Sequence, residues 1–159
     1  MKIIFYRGRT RLFNRAVSFL TSGPYSHCEV VIDELSDGSV VSWSSSHLDG
    51  GVRRKVMLLN ADNWDVLEIP GDASTVAAWF EAHKGCGYDS LGLAGFIFRP
   101  IRGFSEKYFC SEAVAASLGV TEPWRFDPNT LAAMLSSRPT ITPTAPVNPI
   151  VLDLLPQAS

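Results

Sequence analysis

A short apolar run, Ile3-Ile4-Phe5, opens the chain and predicts a strand over 2–6. Residues 11–21 follow the helical period, with Leu12, Phe13, Ala16, Val17 and Leu20 on one side, until Gly23-Pro24 stops them. From 25 to 33 the period changes to two: Cys28, Val30 and Ile32 point one way, His27, Glu29 and Asp33 the other. Ser36-Asp37-Gly38 is turn chemistry, so 39–44 should return as the antiparallel partner. A turn centred near Leu35 and Ser36 places Ser44 opposite His27 and Ser42 opposite Glu29. Two more strands are expected near 52–58 and 64–69, ended by Pro70-Gly71.

Beyond that point the pattern becomes helical. Asp72 or Ser74 can cap a helix that runs to His83 and is stopped by Gly85. Gly87-Tyr88-Asp89 reads as a turn, 91–98 as an apolar buried helix and 99–103 as a loop. A further helix begins at Cys110, with Val114 and Leu118 four residues apart and Gly119 at its end. Asp127-Pro128 pairs an N-cap with a proline at the first helical position and opens a last helix through Leu135. A β-rich half followed by helices predicts an α+β fold in a single domain over 1–138, with a proline-rich tail over 139–159.

Composition narrows the function classes. A net charge of -2 over 159 residues offers no basic footprint for nucleic acid. No apolar run approaches membrane-spanning length, and the first apolar stretch is too short for a secretory leader, so a cytoplasmic protein without a transmembrane segment is expected. Three cysteines without C-x-x-C spacing indicate neither a disulfide framework nor a zinc knuckle; His83 and Cys86 alone do not make a metal site. No cofactor or metal is expected.

The candidate chemistry centres on Cys110. Free N–H groups and the positive end of the dipole at a helix start favour thiolate over thiol, and the thiolate is the nucleophile. Such a nucleophile needs a base, and His27 is the best placed of the three histidines, on the non-core face of its strand with Glu29 two residues on and pointing the same way. A structural role for His27, and a Glu29 that pairs with a nearby arginine, are the competing readings. Trp43 and the loop 44–51 follow the His27 strand directly; Trp43, Ser44, Asp49 and Arg53 are therefore candidate substrate contacts.

The segments Tyr25-Ser26-His27-Cys28-Glu29-Val30-Val31-Ile32, Tyr88-Asp89 and Tyr108-Phe109-Cys110-Ser111-Glu112-Ala113-Val114 together resemble the circularly permuted branch of the NlpC-type papain-like cysteine hydrolases. That branch includes lecithin retinol acyltransferase-like proteins, and its relatives occur in bacteria and their phages. The resemblance runs from about 2 to 126 and implies a papain-like fold, a small antiparallel sheet packed against helices that include the Cys110 helix. It implies Cys110 as nucleophile, His27 as base, Glu29 as third member through the H-x-E pattern, and Tyr88 on the oxyanion or substrate side. The activity it implies is hydrolysis of an amide bond, in a cell-wall type of peptide. A thioesterase or lipid acyltransferase using the same dyad, with 91–98 lining an apolar groove, is the alternative within enzymes. A non-catalytic binding module on the same scaffold is the alternative outside them.

Overall fold

The computed structural model describes residues 1–8, 11–89 and 107–137. The expected helix over 91–98, the loop over 99–103 and the tail over 139–159 lie outside the described residues. The architecture is α+β: a curled, mostly antiparallel sheet of seven strands with four α-helices among the described residues. The strands are β1 (Lys2–Tyr6), β2 (His27–Glu34), β3 (Ser39–Ser46), β4 (Gly51–Leu58), β5 (Trp64–Glu68), β6 (Gly87–Tyr88) and β7 (Lys107–Tyr108), in the order β5-β1-β2-β3-β4-β6-β7. The helices are α1 (Leu12–Leu20), α2 (Ala73–Ala82), α3 (Cys110–Ser117) and α4 (Pro128–Ser136), with a 3₁₀ turn at Pro123–Arg125.

Residues paired across an antiparallel ladder share a face, so the register sorts the side chains. Phe5 lies opposite Cys28 and Ile3 opposite Val30, and this face is covered by helices: Val76 and Phe80 of α2, Ala113 and Val114 of α3, and Leu131 and Leu135 of α4 share one core cluster with them. Fully burying a side chain of this size contributes roughly 1.5–3 kcal/mol. The opposite face is different. Ile4, Val31 and Val40 make a small apolar patch there, while His27 and Glu29 lie opposite Tyr6 and Ile4 and Ser42 and Ser44 opposite Lys55 and Arg53.

The β2/β3 register differs from the expected one by two residues. Val31 faces Ser42 and Val30 faces Trp43, and a bulge between Val31 and Asp33 shifts the pairing toward the turn. The segment 87–89, expected as a turn, begins with β6, which pairs antiparallel with β4 at Gly51 and parallel with β7. Gly51 permits this approach. It sits at φ 149°, and a Cβ there would stand 2.0 Å from the Cys86 carbonyl oxygen. The caps follow the sequence reading: Asp72 accepts from the Ser74 and Thr75 amides, and Asp127 from those of Asn129 and Thr130. No helix among the described residues is long and apolar enough to cross a membrane.

Candidate active site

α3 presents Cys110 as its first residue. Phe109 before it is extended, and its amide donates to the Glu112 carboxylate at 3.2 Å, so one free donor of the helix start is satisfied locally. Three alanines carry the helix, and Gly119 at φ 71° closes it, with the Val120 amide returning to the Ala115 carbonyl at 3.0 Å. Two serines seat this helix. The Ser45 hydroxyl of β3 donates to the Tyr108 carbonyl at 2.6 Å, and the Ser111 hydroxyl donates to the Phe126 carbonyl at 2.5 Å.

The helix start is thereby brought against the first residues of β2. Cys110 lies against His27 and against the thiol and main-chain amide of Cys28, and all three act on its sulfur. Burial alone would push the Cys110 thiol up; the Cys28 S–H, the His27 imidazolium and the Cys28 N–H outweigh it and bring Cys110 down to about 5. Burial alone would likewise keep the imidazole neutral, but the Cys110 thiolate and the Glu29 carboxylate push His27 up to about 9. Near neutral pH the pair is therefore a thiolate and an imidazolium. Cys28 moves the other way, held up by burial and by the neighbouring Cys110 thiolate.

Glu29 completes the line. Its carboxylate is 2% exposed and four donors converge on it. His27 Nε2 lies 3.1 Å from Oε1, Arg53 donates from Nη2 to Oε1 at 2.7 Å and from Nη1 to Oε2 at 3.1 Å, and the Ser42 hydroxyl donates to Oε2 at 2.5 Å. Burial would raise its pKa; His27 and Arg53 instead hold it well below the usual carboxylate range. An ionised carboxylate only accepts, so Nε2 carries a proton and Nδ1 is the ring atom left for Cys110. Glu29 thus contacts His27 and pairs with Arg53 at the same time.

A cleft of about 220 Å³ opens beside His27. Its lining includes Tyr6 and Trp64, Arg53, Lys55 and Met57, and Arg11, Phe13, His47, Asp49 and Tyr88. Cys110 is completely buried and does not line it. Tyr88 packs its ring 5.6 Å from Phe109 and 5.4 Å from His47. Burial, then the Cys110 thiolate, push its phenol far up, so it stays a hydroxyl donor. Asp49 accepts from Arg53 Nε at 2.8 Å, and that bond lowers its pKa.

Two expected substrate contacts are corrected. Trp43 is 1% exposed, on the core face, stacked on Phe80 with ring centroids 5.7 Å apart; it walls no cleft. Ser44 is fully buried and donates to the Cys28 carbonyl at 2.7 Å, a bond that ties β3 to β2 beside the site. Arg53 and Asp49 do lie at the cleft, but each is engaged by the other, and Arg53 also by Glu29. Cys28 and His47 were given no role in the sequence reading. The first lies against Cys110, and the second stacks on Phe13 at 5.1 Å beside the cleft. Strand alternation alone could have found neither, since both depend on contacts distant in sequence. Among the described residues no group of three or more His, Cys, Asp or Glu side chains gathers as a metal site.

No protein-family model matches the chain, and no curated protein matches it.

Proposed function

We propose that the protein is a papain-like cysteine hydrolase of the circularly permuted NlpC type that cleaves an amide bond in a peptide. The observation that carries this reading is the continuous line Cys110, His27, Glu29: a thiol brought down to about 5, an imidazole brought up to about 9, and a buried carboxylate 3.1 Å from the far ring nitrogen. The chain order, His27 on β2 before Cys110 on α3, is that of the permuted branch.

The Cys110 thiolate attacks the amide carbonyl carbon, forming a C–S bond while the carbonyl electron pair moves to oxygen. The Cys110 amide at the start of α3 and the Tyr88 hydroxyl are the donors this reading assigns to that oxygen. His27 gives its Nδ1 proton to the leaving amine as the C–N bond breaks. Water, deprotonated by His27, then displaces the thiolate from the acyl-enzyme. Glu29 keeps the ring in the tautomer and orientation that both steps require, a positioning role.

One observation favours the second reading, a binding module on the same scaffold: Cys110 is completely covered. The test is a pair of specificity constants, for a short cell-wall peptide and for a medium-chain acyl thioester of similar size. The peptide should be the better substrate, and His27→Ala should abolish its turnover. A thioester preferred more than about tenfold, roughly 1.4 kcal/mol in the transition state, would replace the amidase by an acyl-transferring enzyme. Turnover of neither would replace it by the binding module.

A further inference from the structure

We infer that the cleft beside His27 recognises an anionic group on its ligand, a carboxylate of an acidic peptide residue, and that Arg11 and Lys55 are the side chains that hold it. Arg53 gives both terminal nitrogens to Glu29 and its Nε to Asp49, so its donors face protein carboxylates. His27 is engaged by Glu29 and Cys110. Both carboxylates of the cleft are thereby answered. Arg11 and Lys55 also line the cleft; neither makes a salt bridge or a side-chain hydrogen bond among the described residues, and the Lys55 charge reaches Asp49 only at longer range, as a small part of what lowers its pKa.

Their placement follows from the fold. Lys55 lies opposite Ser42 in the β3/β4 ladder, on the face that carries Glu29, two positions beyond Arg53 on the same strand. Arg11 is the N-cap residue of α1, whose next turn brings Phe13 to the cleft against His47 and Tyr88. Cations from two separate elements thus converge on one concavity in a chain whose net charge is -2. An anion entering the cleft meets local attraction opposed to the charge of the whole.

Size and lining restrict the ligand further. At about 220 Å³ the space lies below the roughly 300–1,000 Å³ of sites that engulf drug-sized ligands, so it suits one or two peptide residues and not a long acyl chain. The flanking rings, Tyr6 against Trp64 at 5.0 Å and Phe13 against His47 at 5.1 Å, offer apolar walls for the stem of such a residue. A guanidinium and an ammonium then meet its carboxylate, with the guanidinium fork suited to both oxygens at once.

Cleavage of such a ligand rests on the hydrolase reading; its binding does not, and the experiment separates them. The full chain carrying Cys110→Ala is titrated with N-acetyl-Glu-Ala-amide and with N-acetyl-Gln-Ala-amide, and with inorganic phosphate as a third probe, following tryptophan fluorescence because Trp64 lines the cleft. The glutamyl peptide should bind at least tenfold tighter than its glutaminyl twin, and the preference should shrink as salt is raised. Adding Arg11→Gln and Lys55→Gln, both exposed positions, should reduce the preference to within twofold, and either single change should reduce it in part. Equal binding of the two peptides, a preference that survives the double change, or phosphate binding as tightly as the glutamyl peptide would overturn the inference. If the preference holds while the unaltered chain cleaves no peptide, the hydrolase reading falls and the anion site stands. If peptides are cleaved without the preference, only the anion site falls.

Discussion

Replacing Glu29 by glutamine removes a buried negative charge on which Arg53, Ser42 and His27 all converge. The amide keeps one acceptor but turns a donor toward a position now filled by a donor, and the Arg53 side chain, 15% exposed, is left with Asp49 as the one carboxylate that pairs with it. Breaking a buried pair from one side costs about 3–5 kcal/mol. The lower end applies, because Asp49 and partial solvent access remain to Arg53; about 3 kcal/mol in a chain of this size lowers Tm by roughly 6–12 °C. Arg53→Met should cost a similar amount, since it strands the Glu29 carboxylate. The double variant leaves neither charge stranded, so its cost should fall short of the sum of the singles by about 2 kcal/mol. Urea unfolding followed by tryptophan fluorescence gives all four corners of the cycle. Additivity to within about 0.5 kcal/mol would refute the reasoning, because the two side chains would then act independently.

The pH profile of kcat/KM should rise through about pH 5 as Cys110 becomes thiolate and fall through about pH 9 as His27 loses its proton, both values belonging to the coupled pair; a rate still climbing above pH 9 would contradict it. Asp127→Ala removes the acceptor for the Asn129 and Thr130 amides at 2.8 and 3.1 Å and should cost about 1 kcal/mol in urea unfolding, with Asp127→Asn recovering most of it. No loss in the alanine variant would mean the cap is idle.

The site was legible where it depends on strand alternation and helix ends. His27 and Glu29 share a face because they are two residues apart on one strand, and Cys110 opens a helix because small residues and Gly119 follow it. The β2/β3 register was off by two, an even slip, so Ser42 and Ser44 kept their face and only their partners changed. Trp43 follows from the same alternation. Lying between Ser42 and Ser44, it must point away from His27, into the core, and the expectation of a cleft wall ignored that parity. β6 and β7, at two residues each, are too short to leave a pattern. Cys28 against Cys110 was invisible, and the arginine pairing of Glu29 was open as a reading without Arg53 being singled out, because both contacts join elements whose packing no local period encodes. The papain-like resemblance pointed to Cys110 and His27, but not to the thiol and main-chain amide of Cys28 that also act on the Cys110 sulfur.

Cys28 and Cys110 supply an internal control for the central claim, since both are completely buried and they touch each other, yet one thiol is brought down to about 5 and the other is held up. Access by local opening is shared, so a difference in alkylation rate between them reads thiolate content. Iodoacetamide at pH 6, followed by peptide mass spectrometry over time, measures it directly. At that pH a group titrating near 5 holds about ten thiolates to one thiol. Cys110 should be modified at least tenfold faster than Cys28, and His27→Ala should slow Cys110 while leaving Cys28 unchanged. Equal rates at the two sulfurs, or a Cys110 rate indifferent to His27, would contradict an activated nucleophile at this position.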